Sequence, residues 1–144
     1  MIVIFQKVKK AKIIEDNTNA GEISDGVLLY VGIDKHDSKK NVEEMASKII
    51  NSKIIPDKNG RMTESISSKT QEIMLISQFT LCAEINKNKP SFQNAKNPSE
   101  AKELYINLVN LIKENKGKVV SGNFGKYLVI ESENDGPVNF ILTS

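Results

Sequence analysis

Eight consecutive residues, Gly26-Val27-Leu28-Leu29-Tyr30-Val31-Gly32-Ile33, constrain the fold more than any other stretch. Successive side chains of a strand point to opposite faces, and here both faces are apolar, so the segment is expected to be a central strand covered on both sides. Residues 1–8 form another strand, with Ile2, Ile4, Gln6 and Val8 on one face and Val3 and Phe5 on the other. Residues 11–15 read as a second short strand that leads into the polar turn 16–19. Residues 72–79, 118–121, 127–133 and 138–143 read as further strands, and 53–56 as a short extended piece before a turn at Gly60. A helix is predicted over 38–52, with Ser38 as N-cap and Val42, Met45, Ala46, Ile49 and Ile50 as its apolar stripe. A second helix opens at Asn97-Pro98-Ser99-Glu100, buries Ala101, Leu104, Tyr105, Leu108, Val109 and Ile112, and is expected to end at Gly117. The intervening residues 81–97 read as a polar loop containing Pro90 and Phe92. The pattern predicts a single α+β domain over residues 1–144, a largely antiparallel sheet with two packed helices.

Bulk properties exclude several classes. A chain of 144 residues, 39% hydrophobic and 26% charged, can build a core without staples. Cys82 is the single cysteine, so no internal disulfide is possible, and no Cys/His cluster suggests zinc. No metal and no cofactor are expected. The apolar run at the start is too short for a signal peptide, and no stretch approaches the ~18–20 residues needed to cross a bilayer. A cytoplasmic location without a membrane partner is expected. Twenty Lys and Arg against 18 Asp and Glu leave a net charge of +2, too small an excess for tight binding of a long duplex. DNA is not an expected partner, whereas a short RNA end is compatible.

The usual catalytic signatures are missing: no phosphate-cradling Gly-rich loop with Lys-Ser/Thr and no Gly-x-Ser-x-Gly elbow. His36, the single histidine, falls in a charged loop and reads as solvated. Cys82 has no activating neighbour and reads as a small buried hydrophobe. An enzyme with this sequence would act on an already activated substrate, by positioning it and stabilising charge. Two segments carry polar groups that could do so. Ser77-Gln78-Phe79-Thr80 follows the apolar run Ile73-Met74-Leu75-Ile76, and Asn134-Asp135-Gly136-Pro137-Val138-Asn139 lies near the C-terminus. Taken singly, the first is a strand end with satisfied hydroxyls and the second a turn.

Together, their order and spacing resemble the D-aminoacyl-tRNA deacylase family, which carries Ser-Gln-x-Thr mid-chain and Gly-cisPro near the C-terminus. The resemblance runs nearly end to end, through Val3-Ile4-Phe5-Gln6-Lys7-Val8, residues 26–32, Lys48-Ile49-Ile50-Asn51, Gly60-Arg61-Met62, Lys89-Pro90-Ser91-Phe92 and Gly122-Asn123-Phe124-Gly125. It implies a barrel-like core and a homodimer with each active site at the subunit interface. It further implies hydrolysis of the ester joining a D-amino acid to the terminal adenosine of tRNA. By matching residues, Ser77, Gln78, Phe79 and Thr80 would form the catalytic wall, with backbone N–H groups around Phe79 and Thr80 as oxyanion donors. Gly136, Pro137 and Val138 of the partner would form the chiral selector. Backbone there would reject L side chains and admit glycine. Ala101 would contact the adenosine, Phe124 would pack beneath the site, and Lys7 would support the selector where the family often has arginine. The substrate's 2′-hydroxyl would assist, since no general base is evident. Asn139 and Lys126 depart from the family pattern and bear on chiral strictness. Rival readings are a relaxed or L-aminoacyl editing deacylase and a non-catalytic module for RNA 3′ ends; low aromatic content (6%) weighs against the latter.

Overall fold

The computed structural model describes residues 1–68, 71–115 and 118–144, so the expected helix stop at Gly117 lies outside the described residues. Strand β1 (Ile2–Glu15) turns through Asp16 and Asn17, both at positive φ (49° and 61°), into β2 (Thr18–Ile23). A two-residue turn with both positions left-handed matches the twist of a tight hairpin, and Asp and Asn tolerate that conformation. Strand β3 (Gly26–Gly32) follows, then α1 (Lys39–Asn51), the short pair β4 (Ile55–Pro56) and β5 (Met62–Glu64), and β6 (Glu72–Ser77). A second short hairpin, β7 (Glu84–Asn86) and β8 (Lys89–Ser91), precedes α2 (Pro98–Asn115), β9 (Val119–Ser121) and β10 (Val129–Thr143).

The main sheet runs β10-β1-β3-β6-β9, with β2 also paired to β1. The pairs made by β1 are antiparallel, as the alternation suggested. The pairs β3–β6 and β6–β9 are parallel, because each connection crosses over through a helix, α1 in the first and α2 in the second. Both helices therefore cover one face. Val3, Phe5, Val27, Leu29, Ile73 and Leu75 meet Val42, Met45, Ile49, Leu104, Leu108 and Ile112 there. On the opposite face Val8, Ala11, Ile13, Ile23, Leu28, Met74 and Ile76 form a second core, flanked by Val120, Leu128 and Ile130. The sheet curls around this second core, which gives the barrel-like shape, and β3 is buried on both faces as its sequence requires.

The helix caps follow the sequence. The Ser38 N–H donates to Asn41 Oδ1 at 3.0 Å, and the Ser99 N–H donates to Asn97 Oδ1 at 3.0 Å. Five elements differ from the sequence reading. Residues 127–133 and 138–143, expected as two strands, belong to the single strand β10, because the ladder to β1 resumes beyond residues 135–138. Residues 1–8 and 11–15 are one strand, continuous through irregularities on either side of Val8, because the ladder to β10 carries it past exposed Lys9 and Lys10. Strand β2, polar throughout most of its length, is held by backbone pairing to β1 and has no apolar alternation to announce it. The strand over 72–79 stops at Ser77 and gives way to a 3-10 turn, Phe79–Cys82. The loop over 81–97 contains the β7–β8 hairpin, turning at Lys87 and Asn88, which also have positive φ. Among the described residues no helix is long and apolar enough to cross a membrane.

Leu75 is fully buried between the sheet and α2. Leu75→Ala should cost about 2–5 kcal/mol, read as a lower midpoint in urea unfolding at unchanged slope.

Candidate active site

At the C-terminal ends of the parallel strands β3 and β6 the sheet opens into a cleft of about 680 Å³. Its geometry starts from Gly32. A Cβ at this position would lie 2.8 Å from Leu81 Cβ and 3.2 Å from the Gln78 carbonyl oxygen, so only glycine lets the 3-10 turn pack against the end of β3. The Gln78 N–H closes the ladder by donating to the Val31 carbonyl at 2.8 Å. Beyond it the chain leaves the sheet. The Leu81 and Ala83 N–H groups donate to the Gln78 and Thr80 carbonyls, whereas those of Phe79 and Thr80 have no acceptor among the described residues. Two adjacent backbone donors are thus available where the chain turns away. The Gln78 side-chain amide donates to Thr80 Oγ1 and orients the hydroxyl, leaving its own proton free to be donated.

Ser77, Gln78 and Phe79 form one wall of the cleft, and Asn97, Pro98 and Ala101 at the start of α2 form another. Phe124 lies across from them, its ring 5.9 Å from that of Tyr105, whose buried hydroxyl donates to the Leu75 carbonyl at 2.8 Å. Burial pushes the Tyr105 phenol well above its usual range, so it stays a fixed neutral donor. Phe92, expected in a polar loop, is brought to the rim by β8 and its neighbours, with its ring 5.0 Å from that of Phe79. Among the described residues no carboxylate lines the cleft, and no group of His, Cys, Asp and Glu converges as a metal site. His36 is exposed, and burial, with a smaller contribution from Asp34, raises the Cys82 thiol above its ordinary pKa, so it is a poor nucleophile.

Gly136 and Pro137 lie elsewhere. The peptide bond between them is cis, and the segment falls within β10. Gln6 pairs with Asn139 and Val8 with Asn134, so four residues of β10, 135–138, bulge out opposite the single residue Lys7. Gly136 has φ +116°, and a Cβ there would lie 2.7 Å from Val138 Cγ2 and 2.8 Å from the Val138 nitrogen. Lys7 is 9% exposed and donates to Asp135 Oδ2 and to Asp25 Oδ1, the latter at 3.2 Å. Asp25 was not evident from sequence, because nothing local links the turn before β3 to a bulge in β10. Lys7 pairs with Val27 and Val27 with Ile73, whereas Ser77 pairs with Val31. The bulge and the Ser77–Thr80 segment therefore sit at opposite ends of β3, four residues apart along the strand, or roughly 13 Å at strand rise, and do not meet within one chain.

Solved structures of the same shape define the class. One, described as "c-Myc DNA Unwinding Element Binding Protein", superposes with a TM-score of 0.94 at 30% identity and covers 100% of this chain and 99% of its own. Another, described as a probable eukaryotic D-amino acid tRNA deacylase, superposes with a TM-score of 0.87 over 98% of this chain and 97% of its own; at 14% identity it speaks for the fold. The fold is thus that of the D-amino acid tRNA deacylases. A family model described as D-Tyr-tRNA(Tyr) deacylase matches residues 4–143. D-aminoacyl-tRNA deacylases of Thermodesulfovibrio yellowstonii and Aquifex aeolicus are 39% and 38% identical to this chain, each over its whole length and over 99% and 98% of their own. The chain belongs to the D-aminoacyl-tRNA deacylase family, hydrolases acting on the ester bond of aminoacyl-tRNA.

The hydrogen bond from Lys7 holds the Asp135 carboxyl below its ordinary value of 3.8. Burial alone would lower the Lys7 pKa, but the hydrogen bonds to Asp135 and Asp25 outweigh it and leave the ammonium above 10.5. The Asp135 contribution is present above its unfolded value and lost as pH falls through the lower folded one. The Lys7 contribution is present below its unfolded value and lost as pH rises through the higher folded one. The stability contributed by the Lys7–Asp135 pair, read as the urea midpoint of wild type minus that of Lys7→Met, should therefore be level between about pH 5 and 9 and fall in acid; a midpoint near neutrality would contradict this anchor.

Proposed function

We propose that this chain hydrolyses D-aminoacyl-tRNA, and with it glycyl-tRNA, at a composite site built across two copies of the chain. The Ser77–Thr80 strand end of one copy faces the Gly136–Pro137 bulge of the other. One observation carries this reading: the two segments of the family signature lie at opposite ends of β3, so a single chain cannot bring them together. Exposed apolar side chains point the same way. Phe79, Tyr127, Val129 and Ile141 are 48–89% exposed, more bare apolar surface than a monomer's site needs.

The terminal adenosine lies in the cleft between Ala101 and Phe124. The ester carbonyl oxygen then points at the Phe79 and Thr80 N–H groups, which stabilise negative charge as water adds to the carbonyl carbon. The hydroxyl of Thr80, held by Gln78, positions that water. The ribose oxygen leaves with a proton, and the substrate's own 2′-hydroxyl can relay it, so a cleft without carboxylates suffices. The partner's Gly136–Pro137 bulge presents backbone on one side of the α-carbon. A D side chain points away from it, glycine has none, and an L side chain collides. Discrimination by backbone is indifferent to side-chain identity, so many D-amino acids are accepted. Lys7, tied to Asp135 and Asp25, steadies the bulge, and Asn139 closes its base by pairing with Gln6.

With a chelator present, purified protein should hydrolyse D-tyrosyl-tRNA and leave L-tyrosyl-tRNA intact. Loss of both esters would point to relaxed editing, and loss of neither by folded protein would remove the hydrolase reading. A second test addresses the composite site. Thr80→Ala and Gly136→Ala should each lower D-ester hydrolysis, the latter because alanine is strained at φ +116° and meets Val138. Refolding the two inactive variants together should restore about a quarter of wild-type activity, since half the dimers are mixed and each holds one intact site. Mixing without recovery would place the whole site in one chain.

A further inference from the structure

Phe124 and Lys126 line the catalytic cleft on one side and, on the other, a shallower groove of about 360 Å³ between α2 and the segment after β9. The groove is basic. Lys102 and Lys113 of α2 and Lys126 border it together with Asn110, all exposed, and no carboxylate lines it among the described residues. Glu15, which accepts from Asn123 at 2.8 Å, is not among its walls. None of the three ammonium groups forms an ion pair or hydrogen bond among the described residues, in contrast to those of Lys7, Lys10, Lys96 and Lys118, which are paired with carboxylates. Lys102 and Lys113 are eleven positions apart, three helical turns, so they sit on one stripe of α2 about 16 Å from end to end. With 20 basic and 18 acidic residues in the chain, a run of unpaired cations that starts at the cleft and continues along one helix reflects placement more than composition.

We infer that this groove binds the phosphodiester backbone of the tRNA acceptor end, leading the strand out of the cleft along α2. The inference rests on the proposed substrate and deepens it. The cleft takes the terminal adenosine and its ester. The chain of phosphates behind that nucleoside must leave past Phe124 and Lys126 or across the opposite rim, and the opposite rim offers Lys96, whose ammonium is already bound to the Lys35 carbonyl and Glu100. Unpaired lysines impose no base preference, which suits an enzyme that has to accept many tRNAs.

The test is binding of unacylated full-length tRNA, measured by fluorescence anisotropy across a salt series, for wild type, Lys102→Glu/Lys113→Glu and the neutral Lys102→Met/Lys113→Met. Lys39→Glu/Lys40→Glu, at the start of α1, makes the same change in net charge and serves as control. The groove variants should weaken tRNA binding several-fold, and the neutral pair should flatten the slope of log K against log salt by about 1.4, the value for two single-strand phosphate contacts. Binding of adenosine, which has no phosphate, should be unchanged. Unchanged tRNA affinity, an equal loss in the control, or a parallel loss of adenosine binding would each overturn the inference. The outcome is separable from the activity itself. Wild type that binds tRNA through these lysines yet cleaves no aminoacyl ester would sink the hydrolase reading and leave the groove. Hydrolysis intact with unaltered tRNA affinity would do the reverse.

Discussion

Burial of β3 on both faces is the constraint on which the rest of the structure depends. Val27, Leu28 and Leu29 are all inaccessible to solvent, which requires apolar layers above and below and paired strands on both edges. The helices supply one layer, and the curl of the sheet supplies the other. Because β3 pairs antiparallel with β1 and parallel with β6, its two ends acquire different neighbours. Its first residues lie beside Lys7 and the bulge of β10, and its last beside Ser77 and the cleft. The strand that organises the core also separates the two halves of the family signature.

In the proposed site, this separation would give a second copy of the chain a chemical role. A site divided between the opposite ends of one sheet is incomplete in a single chain, and a second copy can complete it with the symmetry that a two-fold dimer supplies. The chemistry asked of each half is then modest. One half offers two backbone N–H groups and an oriented hydroxyl to an ester that is already activated. The other, as proposed, would offer backbone that excludes one hand of the substrate. Neither needs a strong acid or base, in keeping with a cleft that no carboxylate lines among the described residues.

The electrostatics are local for the same reason. A net charge of +2 conceals two arrangements of lysine. Lys7 is mostly buried and pinned between two carboxylates, which serves position. Lys102, Lys113 and Lys126 stand unpaired along a groove that continues from the cleft, which serves attraction. Charge totals do not distinguish these uses, because pairing depends on which strands and helices become neighbours.

Much of the fold was legible in the residues, for reasons of period and chemistry. The apolar run at 26–33, the i, i+3, i+4 stripes of both helices and the caps at Ser38 and Asn97 depend on neighbours in the chain, and each forms as the sequence indicates. The end of β6 at Ser77 is legible only as a polar terminus, and what singles out Ser77–Thr80 as a candidate site is its order and spacing with the Gly136–Pro137 segment across the whole chain. Strand β2, the continuity of β1 and β10, and the β7–β8 hairpin that lifts Phe92 to the rim were not readable, because backbone pairing with distant partners forms them and leaves no apolar alternation. Asp25 and the unpaired lysines of α2 belong to the same class. The sequence by itself determined which segments are strands with covered faces, which are helices, and which family the chain resembles, since those properties repeat at short range. Only the tertiary structure decided that β3 puts the two signature segments at its opposite ends, that Lys7 reaches both Asp25 and Asp135, and that the cleft runs on into a basic groove, since each of these is a meeting of residues far apart along the chain.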